Sequence, residues 1–155
     1  MYTTIRLFFF SSLLSLCLSV QAEEALEYSH LVNAAGQGDV KSQLKLGAMY
    51  LLGSGVEKNE QSAAEWILKA AHQGNIEAEV MIAAMYDRGL GVTNDVKIAT
   101  QWYEKAAAQG NTTSLAILGK NNVAKGSVAF SYQAMRLSAA KQIPTEYAKK
   151  ILLTK

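Results

Sequence analysis

The sequence predicts an all-α chain, a short solenoid of about three helix hairpins closed by capping helices. Two observations carry this. Written from Ala34, Ala70 and Ala106, the chain reads AAGQGDVKSQLKLGAMYLLGSGV, AAHQGNIEAEVMIAAMYDRGLGV and AAAQGNTTSLAILGKNNVAKGSV, a repetition every 36 residues. Self-similarity at periods of 20 to 50 residues marks stacked supersecondary units. Within each unit, apolar residues recur at three- and four-residue intervals on either side of a glycine loop, which is the spacing of one helix face.

The elements follow in chain order. Residues 1–22 are set aside as a secretory signal peptide: Arg6 supplies the positive start, Leu7 to Val20 is an uncharged apolar and hydroxyl run, and Val20-Gln21-Ala22 suits cleavage before Glu23. The run is short of the about 20 residues a membrane span needs. Lipid attachment at the single cysteine, Cys17, is disfavoured by the bulky Leu16 ahead of it. A chain starting at Glu23 then has no cysteine, so its stability rests on apolar packing rather than disulfides. Residues 23–155 suffice for one domain, and 50% apolar content with one proline argues against disorder.

Leu26, Leu31 and Val32, before Gly36, are expected on a helix that closes the N-terminal end. The first repeat, about 34–69, places Leu44, Leu46, Met49 and Tyr50 on its first helix. Its second helix, capped by Asn59, carries Ala63, Trp66, Ile67 and Ala70. In the second repeat, about 70–105, Asp95 caps a helix bearing Ala99, Trp102, Tyr103 and Ala106. Gly74 and Gly110 fit the left-handed position that ends a helix, leaving Asn75 and Asn111 to cap the next. Gly47, Ala83 and Gly119 share one slot, where a small residue lets helix axes approach. Helix periodicity puts Trp66, Trp102, Tyr50 and Tyr86 in the core. The third copy, about 106–141, is degenerate: Asn121 and Asn122 replace Met and Tyr, and it lacks the paired glycines and the tryptophan. Terminal repeats are commonly atypical. Pro144 is then expected to break the chain, with Thr145 capping a last helix at about 145–153.

The pattern Leu46-Gly47, Tyr50, Gly53-x-Gly55-Val56, Asn59, Ala63, Trp66, Lys69-Ala70-Ala71 and Gln73-Gly74 resembles the Sel-1-like repeat. Tyr86, Gly89-x-Gly91-Val92, Asp95, Ala99, Trp102, Lys105-Ala106-Ala107 and Gln109-Gly110 fill the same slots again, with Ala83 in place of the usual glycine. The resemblance covers roughly residues 34 to 110. It implies a right-handed, tetratricopeptide-like α-solenoid in which the first helix of each hairpin lines the inner face. It also implies an exported bacterial member that binds other proteins. Exported relatives act as envelope or host-interaction adaptors, and some act as immunity proteins that neutralise a secreted toxic effector such as a lipase.

No chemistry competes with that reading. The glycine pairs Gly53/Gly55 and Gly89/Gly91 join two helices, whereas a phosphate-cradling loop follows a strand. His30 and His72 have no partner at metal-ligand spacing. Glu77 and Glu79, two apart on a helix, do not face one another as an acid and base would. No serine lies in a nucleophile elbow. Neither an enzyme nor a cofactor nor a metal is expected. Charge is asymmetric: residues 23–115 carry 7 Lys and Arg against 12 Asp and Glu, whereas residues 116–155 carry 7 against 1. A functional basic end would favour an acidic protein surface or anionic lipid.

The expected product is therefore a monomeric, periplasmic or secreted module that binds a protein partner. It takes no nucleic acid, and no stable membrane span remains after signal cleavage. The docking stripe is read at i, i+4, i+7 and i+11 of each first helix. It comprises Lys41, Lys45, Ala48 and Leu52, then Glu77, Met81, Ala84 and Arg88, then Thr113, Ile117, Lys120 and Ala124, with the basic end (Lys141, Lys149, Lys150) as a second candidate surface. Export is checked by intact-mass and N-terminal analysis of protein from the producing cell. A mature chain beginning at Glu23 in the envelope or medium is expected, and a chain still beginning at Met1 in the cytoplasm would remove the localisation.

Overall fold

The computed structural model describes residues 26–119 and 129–154. The signal-peptide reading at 1–22, Cys17, and the Asn121-Asn122 departure lie outside them. All regular structure among the described residues is helical. Residues 26–36 form α1, followed by α2 (Val40–Leu52), α3 (Glu60–His72), α4 (Ile76–Arg88), α5 (Val96–Ala108), α6 (Thr112–Ile117) and α7 (Ala129–Leu153).

Helices α2 to α6 each start where the sequence offers a side-chain acceptor for orphan N–H groups. Asp39 accepts from the Ser42 amide, Asn59 from Ser62, Asn75 from Ala78, Asp95 from Lys97 and Ile98, and Asn111 from Ser114, all at 2.7–3.0 Å. Gly53 and Gly89 end α2 and α4 in the left-handed conformation, with φ of 71° and 69°. Gly74 and Gly110 take the same region past α3 and α5, as the repeat predicts.

Helices α2 and α3 form one hairpin and α4 and α5 a second, with α3 packed on α4 between them. The α2–α3 crossing is close because Gly47 has no side chain: a Cβ there would come 2.7 Å from Ile67 Cγ1 and 3.3 Å from the Ala63 carbonyl. Ala83 fills that slot in α4 and is fully buried. Gly119 does not share the role, because it lies past the end of α6 at φ 66°. The third first-helix thus stops after six residues, where its predecessors run for thirteen.

The recurring Gln73 and Gln109 act as clamps that tie the end of each second helix back to the first helix of its own hairpin. Gln73 Nε2 donates to Gln43 Oε1 at 2.8 Å and to the Gly38 carbonyl at 3.1 Å, while Gln43 Nε2 donates to the Ala35 carbonyl at the end of α1. One period on, Gln109 Nε2 donates to Glu79 Oε2 at 2.8 Å. Glu79 is 3% exposed. Burial holds its carboxyl above the ordinary range, against the opposing pull of the Gln109 hydrogen bond and the Lys105 charge.

The core runs through Leu44, Leu46, Ile67, Val80, Met81, Ile82, Met85 and Tyr103, and every residue of α4 from Ala78 to Met85 is buried. Trp102 belongs to it, but Trp66, Tyr50 and Tyr86 are only half-buried, which corrects the expectation of four core aromatics. The tryptophans differ because His72 meets Trp102 edge-on, with ring centroids 5.2 Å apart, and the residue one period before His72 is Gly36, which has no ring to offer Trp66. Lys69 and Lys105 lie over the Trp66 and Trp102 rings at 3.8 and 3.9 Å.

The C-terminal expectation is also corrected. Pro144 does not break the chain; it lies inside α7, almost wholly buried, and Thr145 donates to the Gln142 carbonyl rather than capping a new helix. An interior proline costs a helix one hydrogen bond. Tertiary packing overrides that cost here, because α7 lies along α2 and α4 and meets α6 only at its margin.

Two outcomes follow. A Cβ on Gly91, at φ 65°, would overlap the Glu60 carbonyl at the start of α3, whereas one on Gly74 meets nothing within 4 Å. Gly91→Ala should therefore destabilise by about 2–4 kcal/mol and Gly74→Ala by about 1–2 kcal/mol in chemical denaturation, since only the first adds a backbone clash to left-handed strain. Equal losses would show that the second glycine loop does not pack on α3. Glu79→Gln installs the amide that Gln43 presents one period earlier, removing a buried carboxylate. The folded wild type holds its proton more tightly than the unfolded chain, so its stability rises as pH falls through the raised value. The variant should accordingly melt higher at neutral pH, with the gap closing as the pH falls into the carboxylate range near about 4.3. A pH-independent gap would place Glu79 in solvent.

Candidate functional site

The faces of α2 and α4 turned away from α3 and α5 form the inner side of the solenoid, and α7 occupies it. Its apolar residues recur at helical spacing: Ala140, Ile143 and Ala148 are part of the main core, and Tyr147, Ile151 and Leu152 pack against it. The candidate docking stripe divides around this helix. Met81, at 0% exposure, and Ile117, at 5%, are core residues in the cluster that α7 completes, as are Ala48 and Ala84. Glu77, half-buried, pairs with Lys150 of α7 at 2.8 Å. Arg88 Nη1 donates to the Lys141 carbonyl at 3.0 Å. These residues are brought together by the chain's own C-terminal helix.

The rest of the stripe does not join them. Lys45 turns to α1 and pairs with Glu27 at 3.1 Å. Lys41 is exposed, while Leu52 and Thr113 are half-buried. Lys120 and Ala124 lie outside the described residues. Of the side chains that fill the groove, Ile143, Tyr147 and Ala148 do not figure in the sequence analysis, and Pro144 figures there only as a chain break. Their three- and four-residue spacing was available there, but Pro144 masked it as a helix boundary.

Electrostatics follow the charge asymmetry of the sequence. The basic end faces the acidic repeats: hydrogen bonding and the charge of Glu77 push the Lys150 ammonium above its ordinary range, stabilising its charged form. Lys149 pairs instead with Glu146 of its own helix, at 3.6 Å. Among the described residues, no group of three or more His, Cys, Asp or Glu is placed to hold a metal ion, and no helix is long and apolar enough to cross a membrane. Ser114 Oγ is buried with no hydrogen-bond partner, in the slot that Ala78 fills one period earlier.

The chain matches the family model described as Sel1 repeat twice, at residues 40–75 and 76–111, so each matched unit is one hairpin: α2 with α3, and α4 with α5. Among solved structures it is similar to a Sel1 repeat protein from Oxalobacter formigenes. That match has 40% identity and a TM-score of 0.59, over 62% of this chain and 28% of that one. It is also similar to c5321, a protective antigen of uropathogenic Escherichia coli strains displaying an SLR fold. Here the identity is 31% and the TM-score 0.53, over 79% of this chain and 26% of that one. The chain thus spans about a quarter of the length of these relatives. A comparison with curated proteins gives no match. Sel1 repeats are generally protein–protein interaction modules, and the family is generally a non-catalytic scaffold. The two regular hairpins of residues 40–111 are thus Sel1 repeats, and the chain is a short α-solenoid whose structural neighbours are Sel1-repeat proteins.

Proposed function

We propose that this chain is an exported, non-catalytic interaction module that receives a partner protein on its solenoid surface. The observation that carries the reading is the inner groove of α2 and α4, which accepts a whole helix, apolar at its centre and charged at its rim. That is the anatomy of a helix-in-groove interface. Secretion to the periplasm is proposed from the leader pattern of residues 1–22. Immunity against a secreted toxic effector is one form such binding would take, and the identity of the partner decides it.

Photo-cross-linking in the producing cell tests the reading. A benzophenone amino acid is placed at Glu77 or Arg88 on the groove rim, or at exposed Val96 on α5 as a control. Rim positions should yield a discrete adduct with one envelope or secreted protein, while Val96 yields none. Absence of any adduct from either rim position would reject the groove as the docking surface.

A further inference from the structure

This inference rests on the interaction-module reading and concerns how the groove is opened. We infer that α7 is an exchangeable resident of the inner groove, and that the ligand of this groove is an amphipathic, basic helix that takes its place. Such a helix presents small and branched apolar residues at three- and four-residue intervals and a lysine directed at Glu77.

Helix α7 has the form of a ligand in a recognition groove. Ala140, Ile143, Pro144, Tyr147, Ala148 and Ile151 fall on one stripe, and the residues beneath, Met81 and Ala84 among them, are closed off in the same cluster. The polar fastenings of its described side chains are light. The Lys150–Glu77 pair is largely in solvent, with the lysine side chain 70% exposed, and exposed ion pairs hold little. Among the described side chains, Arg88 adds a hydrogen bond to the Lys141 carbonyl.

Pro144 weakens the resident itself. Lacking an N–H, it cannot donate to the Ala140 carbonyl, so α7 carries a break in its own ladder where its face is most buried. The alanines at 140 and 148 bury less apolar surface than a larger aliphatic side chain would. A separate helix with the same stripe and no proline therefore meets a groove of matching shape held by an inferior occupant.

The tether compensates. A linked segment acts at an effective concentration of roughly millimolar, so α7 excludes weak ligands and yields only to a helix that binds better than it does. The acidic character of residues 23–115 sets the sign of the ligand, because α7 belongs to the segment with 7 basic residues against 1 acidic.

The test uses the full chain carrying Cys17→Ser and a fluorescein-labelled synthetic peptide of residues 139–154 with Pro144→Ala, read by fluorescence anisotropy. The peptide should bind where a scrambled peptide of the same composition does not. Ile143→Asp in the chain, which unseats its own α7, should tighten binding at least about tenfold, because apparent affinity scales with the fraction of open groove. Glu77→Cys with Lys150→Cys, joined by a bismaleimide, should abolish binding, and the same double variant left unjoined should restore it. Equal binding to the joined and unjoined chains would overturn exchange, as would no tightening by an Ile143→Asp chain that retains its helical circular dichroism. If that variant unfolds, the joined chain alone decides. Peptide exchange without rim cross-links in the cell would reject the interaction-module reading while upholding exchange; rim cross-links formed equally by the joined chain would do the reverse.

Discussion

Two hairpins are too few to bury their own first helices. In a long solenoid each helix pair covers its neighbours and leaves the inner face to solvent or to partners. Here α4 is apolar from Ala78 to Met85 apart from Glu79, which exceeds what α3 and α5 on one side can cover. The burial of that remaining face by α7 is the constraint on which the other features rest. It explains why a proline is tolerated within a helix and why Met81 and Ile117, read as surface, have almost none.

The truncation of α6 makes this arrangement possible. Left-handed Gly119 ends it after six residues. Among the described residues, α7 meets α6 only slightly and packs mainly on the earlier units, on α2 and α4. At the opposite end, α1 occupies the period slot of α3 and α5, and is tied to α2 by the Tyr28–Tyr50 hydroxyl contact at 3.0 Å and the Gln43 hydrogen bond to Ala35.

Between the ends, cohesion comes from apolar contact reinforced by one repeated polar device. A glutamine after each second helix reaches back to the fourth residue of the preceding first helix, Gln43 in one unit and Glu79 in the next. A buried polar group without a partner costs more than a made hydrogen bond gains, so this device fixes the register of the two helices within each hairpin more than it strengthens them. The mismatch of charge between repeats and C-terminus has the same local meaning: the basic segment has an acidic counterpart on its own chain, in the pairing of Lys150 with Glu77.

What the sequence determined by itself was everything local. The caps Asn59, Asn75, Asp95 and Asn111, the left-handed Gly74 and Gly110 and the two Sel1 hairpins follow from backbone geometry and a 36-residue period, both of which are written along the chain. What only the tertiary structure decided was what covers the inner face. Periodicity shows that Met81, Ala84 and Ile117 share a stripe, but an amphipathic stripe looks the same whether solvent, a partner or the chain's own end lies against it. The propensity of Pro144 argued for a break, and the long-range packing of α7 on α2 and α4 outweighed it, because contacts between residues so far apart in sequence leave no local trace.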